Sequence, residues 1–291
     1  MKTVIFLLFS SYTLLFGAEV TQYRQDLFFY GTQVNLRSFL LAGKPMQLSL
    51  DTETLQTSIH APVKTIGHPC QNETSRYSRL LVASSRPPYP LQNDGLTQTR
   101  TAPTVTTDLC PSSKQGFERR LYASMLEKFS QPVPVTLFIT GKWIKGHPEA
   151  FGQFLVWEKT HKLSITWGNH TYSHPYHPGA ALGENFVLSP GYDLKKDTLR
   201  LEKELIERGV TPSVFFRFPG LVSDQKSIQT IHDLGLITIG SHTWIAKGEK
   251  IKAGSIILLH GNKNEPKGVA MFLEMLKDDT LQEIRSLPES L

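Results

Sequence analysis

Apolar and polar positions alternate in short blocks from residue 104 onward, and each block predicts one strand or one helix. Short apolar runs predict strands at 104–107, 133–140, 163–167, 213–218, 236–239 and 255–260. Apolar residues recur at helical spacing between and after these runs, which predicts helices over 116–129, 148–159, 193–208, 223–234 and 267–277. Regular alternation of strand and helix is typical of a parallel sheet covered by helices.

The pattern before residue 101 is weaker. Apolar runs at 27–30, 36–41 and 46–50 predict short strands or one short helix, separated by glycine and proline. Residues 67–103 are rich in Pro, Ser, Thr, Asn and Gln, which predicts an extended connection on the surface. We therefore expect an irregular, partly β amino-terminal extension with its linker over 19–100, followed by an α/β domain over 101–291.

The first residues have the pattern of a secretory signal peptide. Met1 and Lys2 precede an apolar run that ends in Gly17 and Ala18. The run is shorter than the ~20 residues that span a bilayer comfortably. We expect residues 1–18 to be removed, leaving no stable membrane span, and the protein to be exported to the periplasm or secreted.

Cysteine count and charge narrow the possible partners. The chain has two cysteines, Cys70 and Cys110. Because disulfides persist outside the cytoplasm, we expect one bridge between them, with two free buried thiols as the alternative. The net charge of +5 comes from dispersed Lys and Arg residues, so we expect no nucleic-acid partner. An anionic polysaccharide or cell-wall partner is equally compatible with this charge.

Two histidines four positions apart follow the strand predicted at 163–167. If the backbone makes a helical turn there, the imidazoles of His170 and His174 lie on one face and can reach one divalent cation. A bare His-x3-His pair is common by chance, and the surrounding sequence therefore decides its meaning.

Four segments, taken in order, resemble the polysaccharide deacetylase family, also called the NodB homology domain or carbohydrate esterase family 4. The segment 168–175 resembles the family's His-(Ser/Thr)-x-x-His motif, and 135–141 resembles the strand before the first metal histidine. Residues 217–220, Arg-Phe-Pro-Gly, resemble the Arg-x-Pro-Gly motif, and 258–261, Leu-Leu-His-Gly, the Leu-x-Leu-His motif. The resemblance covers roughly 101–276 and implies a distorted (β/α) barrel.

The resemblance also implies an activity, the hydrolysis of N-acetyl groups on the amino sugars of an exported or cell-wall polysaccharide. A divalent metal, commonly zinc, belongs to this chemistry. In such barrels the functional side chains gather at the carboxyl ends of the strands. On the resemblance, His170 and His174 are metal ligands, Asp108 is the general base, and His260 is the acid that protonates the leaving amine.

The resemblance also implies roles for residues near the two metal histidines, the base and the acid. Arg217 pairs with and orients Asp108, and Trp244 resembles the apolar wall beside the catalytic histidine. A backbone N–H near Gly220 and Leu221 would supply the oxyanion donor. The family aspartate that tunes the catalytic histidine is not obvious, because His242 stands near its place.

The first motif departs from the family. The usual Thr-Phe-Asp-Asp-Gly supplies a metal ligand through its second aspartate, whereas this chain reads Thr107-Asp108-Leu109-Cys110-Pro111. Counting back from Pro111 places Leu109 at the ligand position, and leucine cannot ligate a metal. Three interpretations remain open: Asp108 becomes the third ligand, two histidines and water hold the metal, or the domain no longer catalyses.

Three functions are compatible with these sequence features. The first is a metal-dependent deacetylase of an N-acetylated glycan, and the second is a glycan-binding module that has lost turnover. The third is a hydrolase of a different amide or ester. Retention of Asp108, Arg217 and His260 favours an enzyme, because a binding module needs no base, orienting cation and acid together.

Overall fold

The computed structural model describes residues 17–63 and 74–291. Most of the predicted signal segment and Cys70 therefore lie outside the described residues. Within those two ranges, no helix has the length and apolar character that a membrane crossing requires.

The amino-terminal extension is a four-stranded antiparallel sheet. Its strands lie in sequence order, with neighbouring strands joined by short turns. They are β1 (Val20–Tyr30), β2 (Gln33–Leu41), β3 (Lys44–Asp51) and β4 (Thr57–His60). Gly31 and Gly43 occupy the turns at φ of +57° and +76°, where a residue without a Cβ is favoured. The predicted partly β extension is therefore confirmed as a four-stranded meander, with register shifts in the pairings of β1 with β2 and of β2 with β3.

The linker contains a helix that the sequence analysis missed. Helix α1 (Arg76–Ala83) lies within 67–103, where an extended connection was predicted, so that prediction was wrong for these eight residues. Ser75 caps the helix by accepting a hydrogen bond from the Ser78 N–H. Tyr77 is fully buried and donates to the Gly235 carbonyl at 2.8 Å. The burial of this tyrosine against the domain explains why a short helix forms in a polar stretch.

The second sheet has seven strands, and every pairing in it is parallel. Its strands are β5 (Thr104–Leu109), β6 (Val133–Ile139), β7 (Leu163–Asn169), β8 (Phe215–Phe216), β9 (Ile237–Thr238), β10 (Thr243–Trp244) and β11 (Ile256–His260). The spatial order is β10-β11-β5-β6-β7-β8-β9. The parallel sheet predicted from the alternation is confirmed, in the curled form of a distorted (β/α) barrel.

Helices follow most of these strands, close to where the periodicity predicted them. They are α2 (Arg119–Lys128), α3 (Gly141–Gly146), α4 (Pro148–Lys159), α5 (Leu194–Glu207), α6 (Gln225–Asp233), α7 (Pro266–Lys277) and α8 (Leu287–Ser290). The two short helices α3 and α8 were not predicted. Each has too few turns for an apolar period to stand out in the sequence.

The linker spans the gap between the two edges of the parallel sheet. Leu96 pairs with the edge beside β9, donating to the Thr238 carbonyl and accepting from the Gly240 N–H, both at 2.9 Å. Gln98 then forms a bridge with Ser255, just before β11. Residues 96–98 thus bond to the segments beside β9 and β11, and the linker is built into the barrel wall.

A buried ion pair joins the extension to the barrel. Arg37 on β2 and Glu202 on α5 are 0% and 1% exposed in their side chains. Two guanidinium nitrogens of Arg37 donate to the two carboxylate oxygens of Glu202 at 2.7 and 2.9 Å. A third nitrogen donates to the carbonyls of Leu36 and Leu234. A bidentate pair of this kind fixes the position of the antiparallel sheet on the barrel.

Candidate metal and catalytic centre

The predicted site residues meet in one cleft at the carboxyl ends of the parallel strands. The cleft has a volume of about 680 Å³, within the ordinary range for a ligand pocket. Its lining includes Asp108, Cys110, His170, His174, Trp244 and His260. Asp108 lies near the end of β5, His170 directly follows β7, Arg217 directly follows β8, and His260 ends β11. The strand-end placement expected from the sequence is therefore observed.

Asp108 is held by a buried arginine. Arg217 Nη1 donates to Asp108 Oδ1 at 2.8 Å and to Thr106 Oγ1 at 2.7 Å, while Nη2 donates to the Gly240 carbonyl at 2.9 Å. The guanidinium also stacks over the Phe138 ring at 4.2 Å. Burial raises the pKa of Asp108, but the positive charge of Arg217 and then of the site histidines outweighs it, so the pKa lies below its ordinary value. The carboxylate is therefore ionised and fixed in orientation.

The histidine loop does not form the helical turn that the sequence analysis assumed. Thr171 and His174 have φ of +65° and +42°, so the chain turns through left-handed conformations. Asn169 stabilises the turn by accepting from the Thr171 N–H at 2.9 Å, and Thr171 Oγ1 accepts from the His174 N–H at 3.1 Å. The two imidazoles still meet, with ring centroids 4.9 Å apart.

Asp197 on α5 holds this loop from behind, a role that the sequence analysis missed. Its Oδ2 accepts hydrogen bonds from the Ser173 N–H, the Ser173 hydroxyl and the Tyr192 hydroxyl at 2.7 to 2.9 Å. No local pattern links Asp197 to the histidine motif, because 24 residues separate it from Ser173. Only the packing of α5 against the sheet brings the two together.

Cys110, and not Leu109, faces the histidines. Successive side chains of a strand point to opposite faces, so Asp108 and Cys110 share one face while Leu109 points to the other. Leu109 is fully buried in the hydrophobic core. Cys110 Sγ lies 3.6 Å from His170 Nε2. The sequence analysis placed Leu109 at the ligand position, whereas in the structure the neighbouring Cys110 is the residue that lies near the histidines.

Cys110, His170 and His174 form a group that can hold a metal ion. Their candidate ligand atoms all lie within 4.8 Å of one another. His170 Nδ1 donates to the Arg217 carbonyl at 2.8 Å. In the neutral ring the lone pair is therefore on Nε2, which faces the other two residues of the group. His174 Nε2 is buried without a hydrogen-bond partner. Two imidazoles and one thiolate are a donor set that suits zinc and neighbouring first-row ions, so these residues fit a divalent metal.

The electrostatics of Cys110 favour the thiolate. Burial raises the pKa of the Cys110 thiol, but the positive charge of His174 and the proximity of His170 and His260 outweigh burial and hold this pKa well below its ordinary value. Cys110 is buried and has no disulfide partner among the described residues. Cys70 lies outside them, so the bridge predicted between Cys70 and Cys110 is not tested. That bridge and a Cys110 thiolate exclude each other, because a sulfur atom in a disulfide carries no thiolate.

His260 is oriented by Glu265, which the sequence analysis did not identify. His260 Nδ1 lies 2.9 Å from Glu265 Oε2. The same carboxylate accepts from Trp244 Nε1 at 2.9 and 3.1 Å, which fixes the indole beside the imidazole. Burial lowers the pKa of His260, but the contacts with Cys110 and Glu265 outweigh it and raise the pKa well above the ordinary value. His242 instead bonds to the Ser255 hydroxyl, so it does not replace the missing family aspartate.

The turn after Arg217 places Gly220 and Leu221 on the cleft wall. Both have positive φ, +63° and +57°. The Leu221 N–H donates to the Phe218 carbonyl at 2.9 Å and is thus used within the turn. Asn93 of the linker donates its N–H to the Leu221 carbonyl at 2.8 Å. The linker therefore supports this turn, and Gly220 is the stronger candidate for an oxyanion donor.

Residues 104–239 match the family model described as polysaccharide deacetylase. The matched segment contains Asp108, Cys110, both loop histidines and Arg217. His260 lies beyond it, on the strand that pairs with β5.

Several solved structures resemble this chain. A family 4 carbohydrate esterase from Bacillus anthracis is 21% identical, covers 77% of this chain and 95% of its own, and has a TM-score of 0.49. A family 4 carbohydrate esterase from Bacillus subtilis is 15% identical, with coverage of 73% and 87% and a TM-score of 0.48. The chitin deacetylase of Colletotrichum lindemuthianum is 17% identical, with coverage of 67% and 90% and a TM-score of 0.45.

Proposed function

We propose that this protein, whose residues 104–239 match the polysaccharide deacetylase family model, is an exported, metal-dependent carbohydrate deacetylase that removes N-acetyl groups from a glycan. One observation carries the proposal. A Cys-His-His group, an arginine-held aspartate and a carboxylate-oriented histidine line one cleft. A module that only binds glycan would not need a metal-binding group, an oriented base and an oriented acid together in one cleft.

The metal would be held by Cys110 Sγ, His170 Nε2 and His174 Nε2. When bound, a divalent ion supplies a Lewis acid that polarises a carbonyl and makes water a stronger nucleophile at neutral pH. The Arg217 carbonyl fixes the ring of His170, and Asp197 fixes the loop that carries His174. The protein thus supplies three ligands without the second aspartate of the family motif.

Asp108 is the general base in this proposal. Its Oδ1 accepts from Arg217, while Oδ2 lies 3.7 Å from His170 Nε2, next to the metal group. The ionised carboxylate can take a proton from water at the acetyl carbon, and Arg217 prevents it from turning away. Asp108 does not belong to the Cys-His-His group, so we assign it to proton transfer rather than to metal binding.

His260 is the general acid. Because Nδ1 faces Glu265, the proton available to the cleft is on Nε2. That proton passes to the amine nitrogen as the bond to the acetyl carbon breaks. Trp244 lies beside the imidazole, with ring centroids 6.0 Å apart, and offers an apolar wall for the acetyl methyl group. A backbone N–H at Gly220 is the proposed donor to the developing oxyanion.

The substrate class is an N-acetylated polysaccharide reached after export. Peptidoglycan, chitin-like chains and exopolysaccharides all carry the required acetamide. The apolar run at the start of the chain supports export through a signal peptide.

Acetate release tests the proposal. Metal-depleted protein is reloaded with zinc and incubated with N-acetylglucosamine oligomers and with peptidoglycan. We expect acetate from at least one of them, and loss of release on chelation. Asp108→Asn should lower acetate release by about 100-fold or more, because it removes the base, while zinc affinity stays nearly unchanged. Activity that survives Asp108→Asn would refute this mechanism.

A further inference from the structure

One wall of the cleft carries an exposed tyrosine. Tyr176 lies two residues beyond His174 and lines the same cleft. It is 60% exposed, the highest fraction among the exposed large hydrophobic side chains of the described residues. A large ring left in solvent at the mouth of a functional cleft indicates a surface for a ligand.

One face of the Tyr176 ring packs against a second aromatic ring, which in turn contacts a histidine of the metal group. Tyr176 stacks on Phe186, with ring centroids 5.3 Å apart and planes at 29°. Phe186 in turn packs edge-to-face against His174 at 5.8 Å. A Cβ at Gly220 would come within 2.6 Å of the Phe186 ring, so the glycine makes this close packing possible. Tyr176 is therefore coupled through Phe186 to the metal group and the oxyanion turn.

Asn185 holds the loop behind the two rings. Its side-chain oxygen accepts from the N–H groups of His177 and Phe186, both at 2.9 Å. Its amide nitrogen donates to the carbonyl of His177 at 2.8 Å and to that of Ala180 at 3.4 Å. Asn185 itself is 2% exposed. A loop fixed on both sides in this way presents the tyrosine in one position.

We propose that the outer face of Tyr176 is a stacking subsite for a pyranose ring of the glycan, next to the sugar whose acetamide is hydrolysed. The proposal rests on the deacetylase function proposed above. A pyranose presents C–H groups on its flat faces, and these can pack against a rigid aromatic face. The subsite therefore selects chains over single sugars, because only a chain can place one ring at the catalytic centre and the next on Tyr176.

The test uses an N-acetylglucosamine tetramer and three variants of the full protein. Tyr176→Ala should weaken tetramer binding, measured by calorimetry, by about tenfold, the equivalent of about 1.4 kcal/mol for one ring contact. Tyr176→Phe should bind like the wild type, because the ring face and not the hydroxyl makes the contact. Leu182→Ala is the matched control: the side chain is 38% exposed on the same loop but does not line the cleft.

A second readout separates binding from general damage to the site. Tyr176→Ala should lose more activity on the tetramer than on 4-nitrophenyl acetate, which has no second ring. Equal losses on this ester and on the tetramer would overturn the subsite, as would unchanged tetramer binding in Tyr176→Ala or no binding by the wild type. If no glycan releases acetate but tetramer binding still depends on Tyr176, the deacetylase function fails and the subsite stands.

Discussion

Glu265 sets the pH range in which His260 can act as an acid. Its carboxylate helps to raise the pKa of His260, so the imidazole keeps its proton to higher pH. Glu265→Gln should move the alkaline limb of kcat/KM to lower pH and reduce activity at neutral pH by about tenfold. The acidic limb, which reports the base, should not move.

Glu249→Gln is the control for that measurement. Glu249 accepts a hydrogen bond from the backbone N–H of Trp244 at 2.6 Å, so it contacts the same tryptophan without touching His260. We expect its pH profile of kcat/KM to match that of the wild type. An alkaline limb that is unchanged in Glu265→Gln, or shifted equally in both variants, would remove Glu265 from this role.

Some residues of the site could be predicted from the sequence and others could not. Asp108, Arg217 and His260 could be predicted from motifs, since each follows or ends an apolar strand. Cys110 was present in the same motif as Asp108, and strand alternation from Asp108 would have placed it on the correct face. Glu265 could not be predicted, because its contact with His260 depends on the loop that follows β11.

The strands and helices of the barrel were predictable, whereas the way the linker joins them was not. Continuous apolar runs gave the buried parallel strands, and the helix predicted at 148–159 has the same bounds in the structure. The linker pairs across the sheet edges through backbone hydrogen bonds. Backbone hydrogen bonds do not require regularly spaced apolar side chains. A polar segment that completes a barrel therefore has the sequence pattern of a surface loop.

Gly95 tests whether the linker is part of the barrel wall. A Cβ at this position would lie 2.5 Å from the Thr238 carbonyl oxygen, and φ is +95°. Gly95→Ala should therefore lower the free energy of unfolding by about 2 kcal/mol or more, because strain and a backbone clash add together. Urea denaturation measures the change.

Gly179→Ala is the control that measures the cost of backbone strain without a steric clash. Gly179 has a φ of +85°, but nothing lies within 4 Å of its Cβ position. We expect a loss of only about 1 kcal/mol for this variant. Equal losses at Gly95 and Gly179 would mean that the linker does not pack tightly on β9.

The extension and the barrel share a hydrophobic core cluster beside a buried ion pair. Hydrophobic residues of β2 and β3 share a core cluster with β8 and β9, and Arg37 and Glu202 lie beside it. The sequence indicated two segments because their patterns differ. Nothing in the pattern of either segment shows that Arg37 and Glu202 meet across 165 residues.

Glu202→Ala should therefore destabilise the whole protein. Removing one partner leaves the other charge buried and unpaired, which costs about 3–5 kcal/mol of the free energy of unfolding. Glu204→Ala is the matched control on the same helix, since its partner Arg208 is half-exposed and such pairs contribute about 0.3–0.5 kcal/mol. A similar small loss in both variants would show that the extension is not anchored by this pair.

In the proposed function, Cys110 replaces the missing carboxylate as a metal ligand. X-ray absorption at the zinc edge of the reloaded protein tests it without reference to activity. We expect one sulfur ligand at about 2.3 Å with nitrogen ligands at about 2.0–2.1 Å, and the sulfur contribution should disappear in Cys110→Ser. A spectrum with nitrogen and oxygen ligands alone, identical in the wild type and in Cys110→Ser, would exclude Cys110 as a metal ligand.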